Sequence, residues 1–190
     1  MASILKVDTI QDQSGNNIIN ENADTITIGA SGDTITIPSG ATLSNSGTLG
    51  SGMGKVLQVI QGTFTSTFNT TSTSYVATGI SASITPFSTS SKILILCNYV
   101  ADNLTADDQY GTIFRGATNL GGSTQDGLQR SNASTSGRLI LNQSISYLDS
   151  PSSVSSLTYE LYVKLSGSGG NIQILGNATT CTIQLLEIAG

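Results

Sequence analysis

The sharpest pattern in the chain is an alternation of Thr and Ile. Residues 24–37 read DTITIGASGDTITI, so the same five residues occur twice, nine positions apart. Successive side chains of a strand point to opposite faces, so each copy predicts a short strand with one apolar face. That face carries Ile26 and Ile28 in the first copy and Ile35 and Ile37 in the second. Gly29, Ser31 and Gly32 between them are turn residues. A weaker third unit, TLSNSGTLG, follows at 42–50. Strands this short bury little by themselves, and two clear copies are fewer than the roughly three repeats a solenoid needs. The pattern therefore predicts that the four isoleucines pack against other copies of the same chain. Residues 21–54 read as a short intertwined β stem that ends in a hinge, GSGMG at 50–54. That glycine cluster is not a phosphate loop, because no strand–loop–helix context and no Lys-Ser/Thr pair accompany it.

From residue 55 onward the alternation becomes longer. The stretch KILILCNYVA at 92–101 is apolar on both faces, with Ile93, Ile95, Cys97 and Tyr99 on one and Leu94, Leu96 and Val100 on the other. Such a strand is expected to be central and covered on both sides. The final run, 180–188, also has apolar side chains on both faces, including Leu185, Leu186 and Ile188. It is expected inside the sandwich or against a neighbouring subunit. Between and around these runs lie KVLQVIQGTF, TSYVATGISASITP, QYGTIFRG, GRLILNQSISYL, LTYELYVKLSG and NIQILG. Turn signals at 107–108, 121–122, 150–153 and 166–170 separate them. About eight strands at this spacing predict an antiparallel β-sandwich over 55–190, with a jelly-roll-like path. Helix formers are scarce, and the fold class is all-β.

Composition narrows the function. Charged residues are 10% of the 190, well below the usual quarter, and the net charge is −5. The seven Lys and Arg are scattered singly, which excludes the clustered cations that nucleic-acid binding needs. No apolar run approaches the ~18 residues of a membrane-spanning helix, so no membrane insertion is expected. The start, MASILKVDTI, lacks the apolar core of a signal peptide, so maturation in the cytoplasm is expected. Cys97 and Cys181 sit in strand-like runs and read as two buried free thiols, with a disulfide as the disfavoured alternative.

The chain has no histidine, so Ser-His-Asp and Cys-His arrangements are impossible within it. Paired carboxylates could cleave glycans. The candidates are Asp102, Asp107, Asp108, Asp126, Asp149, Glu160 and Glu187. Adjacent Asp107 and Asp108 point opposite ways in extended chain, and they read as turn residues. ADNLTADDQY at 101–110 is the richest acidic segment, but it lacks the spacing of a calcium loop. No enzyme, metal or cofactor is expected. Binding needs only loops on a rigid scaffold. Residues 101–110 and 116–137 read as such loops, rich in Asn, Gly, Ser and Gln. The candidate receptor-binding residues are Asp102, Asn103, Asp107, Asp108, Tyr110, Arg115 and Arg130. Amides and hydroxyls suit polyols, and Arg forks onto carboxylates or phosphates, so a surface glycan is the expected ligand.

Three segments resemble phage virion-fibre (tail-fibre-like) proteins of marine phages. They are ILKVDTIQDQSGNNII at the start, GKVLQVIQGTFTSTFNTTSTSYVATGISASITPFSTSSKILIL at the opening of the sandwich, and SISYLDSPSSVSSLTYELYVKL with CTIQLLEIAG at the end. The resemblance implies a homotrimeric fibre, assembled in the host cytoplasm and exposed on the virion. Residues 1–20 would be the anchor, with Ile4, Leu5, Val7 and Ile10 meeting other virion proteins of the tail or capsid. A C-terminal head like a C1q/TNF-type jelly roll would meet a host cell-surface glycan or receptor. A purely structural component, such as a capsid fibre, decoration protein or tail adaptor, fits the same resemblance. Residues 101–138 depart most from the family pattern, and no binding motif carries over.

Overall fold

A computed structural model describes residues 9–11, 13–14, 17–22, 25–28, 31–42, 56–104, 107–122, 127–132, 138–167, 169–176 and 178–190. The chain forms two compact units, Met1–Leu49 and Gly50–Gly190. Among the described residues all regular structure is strand.

The first unit is an antiparallel meander of β1 (Thr9–Gln11), β2 (Asn17–Asn22) and β3 (Thr25–Ile28). β2 crosses position 20, where the sequence divides anchor from stem, and pairs Ile19 with Ile28 of the first DTITI copy. The second copy differs from expectation. After a turn with Gly32 at φ +95°, residues 33–38 form no strand. Among the described residues the alternation is present there without a ladder. Ile28, Ile35 and Ile37 are 54%, 59% and 48% exposed. The side chain of Ile26, and Ile4, Leu5 and Val7, lie outside the described residues.

Among the described residues the second unit has eleven strands. They are β4 (Val56–Phe64), β5 (Thr67–Thr70), β6 (Val76–Ile84), β7 (Lys92–Asn103), β8 (Gln109–Arg115), β9 (Thr118–Asn119), β10 (Gln129–Ser131), β11 (Leu139–Asp149), β12 (Leu157–Leu165), β13 (Ile172–Leu175) and β14 (Cys181–Ile188). Sheet I runs β4-β14-β7, with β13 and β5 continuing one end and β11 along the other side of β7. Sheet II runs β10-β8-β12-β6, with β9 on β8. Counting only the eight long or corner strands in chain order, sheet I is 1-8-3-6 and sheet II is 2-7-4-5. That interleaving is a jelly roll: consecutive strands alternate between layers except the fourth and fifth, which pair with each other, and chain-distant strands become neighbours.

The register explains the core. Ile60 faces Leu185, Leu185 faces Ile95, and Ile95 faces Tyr147, a row across β4, β14, β7 and β11 of sheet I. Directly paired residues share a face. This row packs inward against Ile80, Ile113, Tyr159, Leu161 and Val163 of sheet II. Gly62 marks the closest approach of the layers, since a Cβ there would lie 2.0 Å from the backbone oxygen of Ser81. Cys97 and Cys181 are free, fully buried and on this inner side. Burial, followed by the neighbouring Cys181, pushes the Cys97 thiol up to about 12.

The expectation for β7 is corrected in the single chain, and β14 lies inside the sandwich as expected. β7 is central in its sheet, but only one face is covered in the single chain. Leu94, Leu96 and Val100 are half-buried on the outer side, and Asn98 is exposed. β14 is likewise paired on both edges and covered on one face, with Leu186 and Ile188 half-buried outside. Backbone pairing alone removes enough surface to place these positions between core and solvent.

Candidate functional site: an aromatic and cationic face on sheet II

Five of the seven candidate binding residues lie in strands, and Asp107 and Asp108 lie in the turn between β7 and β8. Asp102 and Asn103 end β7, Tyr110 and Arg115 lie in β8, and Arg130 lies in β10. Their polar side chains obscured the period-two pattern.

Inward positions of β8 face inward positions of β12: Ile113 opposes Leu161, and Gly111 opposes Val163. The alternate positions must therefore point outward. Tyr110 opposes Lys164, Thr112 opposes Tyr162, and Phe114 opposes Glu160, while Arg130 lies beside Tyr110 on the other edge. Tyr75, just before β6, completes the group. Phe114 stacks on Tyr162 with centroids 4.0 Å apart and planes 27° apart. Tyr75 meets Phe114 edge-on at 6.2 Å. The Lys164 ammonium lies 4.7 Å from the centroid of Tyr75 and 5.2 Å from that of Tyr110. The Arg130 guanidinium lies 5.8 Å from the centroid of Tyr110. Each such cation–ring contact contributes about 0.5–1 kcal/mol at a partly exposed site.

Asp108 supplies the acidic edge. Its Oδ2 accepts from Arg130 Nη2 at 2.7 Å, and its Oδ1 accepts from the Asn132 amide. Its backbone is held twice by Ser166, through Asp108 N to Ser166 Oγ at 3.1 Å and Ser166 N to Asp108 O at 3.0 Å. Buried Asn103 donates to the carbonyl of Asp107 and so fixes the preceding turn. The structure thus gathers Asp108, Tyr110 and Arg130 in one place, with Asn103 and Asp107 shaping the loop beside them. Tyr110 is only 3% exposed, roofed by the two cations, so its ring is not an open platform. The half-buried rings of Tyr75, Phe114 and Tyr162, with Lys164 between them, form the accessible surface. Among the described residues Lys164 makes no ion pair.

Two predicted residues lie elsewhere. Asp102 is fully buried on sheet I, and its Oδ2 accepts from Arg138 Nε at 2.7 Å and Nη2 at 2.5 Å. Among the described residues its Oδ1 has no partner. Arg115 points between the sheets, where Nη1 lies 2.6 Å from Asp149 Oδ2. The same oxygen accepts from Tyr159 Oη at 2.7 Å. Burial works against the Arg115 charge, but its hydrogen bond to Asp149, the Asp149 charge and Tyr159 together more than offset this, and its pKa lies above the ordinary value. Burial, then the bond to Asp149, pushes the Tyr159 phenol up. Of the other acidic residues, Glu187 is buried and accepts from Phe87 N at 2.8 Å and Gln58 Nε2 at 2.6 Å. Glu160 accepts from Gly79 N at 2.9 Å, where the register between β12 and β6 shifts through extra residues of β6. Asp126 is outside the described residues. Among the described residues no three acidic or cysteine side chains group as metal ligands.

The sequence reading missed Tyr75, Phe114, Tyr162 and Lys164. The available signal was the spacing of Tyr162 and Lys164, and of Tyr110 and Phe114, at even intervals within strands. Only the pairing register shows that these sets are neighbours. Ring faces suit the C–H faces of sugars, and Lys164 suits an anionic substituent.

No family model matches the chain, and no curated protein sequence matches it. Among solved structures, it is similar to the VP2 subviral particle of infectious bursal disease virus, with 11% identity and a TM-score of 0.34. The match covers 71% of this chain and 38% of that one, so the chain spans well under half the length of that neighbour.

Proposed function

We propose that the chain is a non-enzymatic, homotrimeric fibre of a phage particle, attached by its N-terminus to other virion proteins and adhering to a host-surface glycan through its head. The observation that carries the adhesive role is the outward group of Tyr75, Phe114 and Tyr162 around Lys164. A face of this composition binds sugars by stacking and selects those with a carboxylate, sulfate or phosphate. The exposed Ile28, Ile35 and Ile37 support association of copies through the first unit.

The test is binding of the labelled full chain to host cells and to a panel of immobilised neutral and anionic glycans. The reading expects capture by anionic glycans and loss of at least about tenfold in affinity on Tyr162→Ala with Lys164→Ala, roughly the 1.4 kcal/mol or more that such contacts contribute. Absence of binding to both cells and glycans contradicts it.

A purely structural virion role is favoured by one observation. Tyr110 is roofed, and both Asp108 oxygens are already engaged, so part of the cluster serves equally as a clasp between β8, β10 and the Ser166 turn. Immunogold labelling of particles separates the readings: labelling over the whole capsid indicates decoration, and labelling restricted to the tail indicates adhesion.

A further inference from the structure

We propose that the outer face of sheet I is where the heads of neighbouring copies of this chain meet. The inference rests on the homotrimer reading above and assigns a surface to it.

The register lines up one outward residue from each of four strands. Val59 opposes Leu186, Leu186 opposes Leu94, and Leu94 opposes Leu148. Each follows or precedes a residue of the inward row Ile60, Leu185, Ile95 and Tyr147, so this second row points away from the core. Val59 is 58% exposed and Leu148 51%. Leu57 and Ile188 extend the patch toward the start of β4. Farther along the face a row of Thr63, Thr182, Asn98 and Ser144 is polar. An aliphatic centre with a hydroxyl and amide border is the composition of a protein interface. Monomeric proteins rarely leave such a continuous aliphatic row open.

Charge identifies the occupant as a second copy. The chain carries −5, and identical copies approach each other against that repulsion. The outward positions at 57–63 of β4, 182–188 of β14, 94–100 of β7 and 140–148 of β11 hold no Asp, Glu, Lys or Arg, and the charges of this face stand at its two ends, Lys92 opposite Ile188 and the Asp102–Arg138 pair. This is a face that two copies bring together without opposing like charges. Sheet II presents the opposite character, with Arg130, Lys164, Asp108 and Glu160 around its rings.

The experiment is hydroxyl-radical footprinting of the full chain, read by mass spectrometry, at a concentration where light scattering reports a multimer. Phe87, 72% exposed, is the internal reference. The expected result is several-fold slower oxidation of Val59 and Leu148 than their exposure in the single chain predicts relative to Phe87. In the variant Val59→Asp with Leu148→Asp, oxidation of Leu94 and Leu186 is expected to rise several-fold while Phe87 is unchanged. If that variant loses its β-sheet circular dichroism, Val59→Gln with Leu148→Gln carries the same comparison. A wild-type multimer in which Val59 and Leu148 oxidise at the rates that their single-chain exposure and intrinsic reactivity predict relative to Phe87 overturns this face and leaves the homotrimer reading standing. A chain that remains monomeric at every concentration overturns both.

Discussion

Arg115 and Asp149 tie the two layers of the head together across a 2.6 Å contact between Nη1 and Oδ2. Arg115 ends β8 on sheet II, and Asp149 ends β11 on sheet I. The Asp149 side chain is 8% exposed and that of Arg115 is 24% exposed. Asp149 also receives the Tyr159 hydroxyl, so one carboxylate oxygen satisfies donors from two strands.

Replacing Asp149 with Ala leaves a guanidinium and a phenol without an acceptor in a partly dry site. Loss of one partner from a buried pair costs about 3–5 kcal/mol, and solvent access at Arg115 places this case near the lower end. Tyr159→Phe removes a single hydrogen bond to a charged group and is expected to cost about 1.5–3 kcal/mol. Urea unfolding of the full chain, followed through the head transition, measures both. Equal losses for the two variants would show that the ion pair adds nothing to the hydroxyl bond.

Alkaline pH tests the buried acids. Cys97 is raised from 9.0 to about 12, and Tyr99 and Tyr159 are raised above 10.0, each first by burial. All three are neutral when protonated, and the native state holds their protons more tightly than the unfolded state. Their contribution is therefore fully present below about pH 9 and is lost as pH rises, between 9 and about 12 for Cys97. Thermal melts are expected to hold steady from pH 7 to 9 and then fall. Cys97→Ala is expected to flatten the part that begins near pH 9, and a melting temperature flat to pH 11 would contradict the buried placement of these groups.

Gly62→Ala tests the contact between layers. A Cβ at this position would sit 2.0 Å from Ser81 O and 3.1 Å from an Ile183 methyl, and the nearer atom is backbone. Overpacking of this kind costs about 1–3 kcal/mol or more. Gly169→Ala, with nothing within 4 Å of the added carbon, is the matched control and is expected to change stability by less than about 0.5 kcal/mol.

Much of this architecture was legible in the alternation. β7 and β14 stand out in the sequence as doubly apolar runs, and the sandwich follows from the number and spacing of such runs. Two things were not legible. The first was which side of a doubly apolar strand meets the core: Leu94 and Ile95 look alike until Leu185 and Leu186 are paired with them. The second was the identity of short polar strands. Asp102, Asn103 and Arg130 look like loop residues because nothing local reveals Arg138, the Asp107 carbonyl and Asp108 as their partners. The aromatic face was invisible for the same reason, since Tyr110 and Lys164 are 54 positions apart in the sequence and neighbours only in the sheet.

The DTITI repeat makes a separate claim. Its second copy has the alternation of a strand and, among the described residues, no ladder. Ile28→Ser with Ile37→Ser is expected to weaken association of the chains by at least about tenfold, since each isoleucine side chain taken out of water contributes about 1.5–3 kcal/mol. The head is expected to keep its own unfolding transition, because its core lies wholly within the second unit. Sedimentation velocity across a dilution series measures the first effect, and an unchanged dissociation profile would remove these isoleucines from the contact between chains.

The most direct measurement of the central claim is the mass of the purified full chain by multi-angle light scattering. The fibre reading predicts a particle of three chains, three times 19.5 kDa, that persists on dilution through the micromolar range. A particle of 19.5 kDa at every concentration would contradict it.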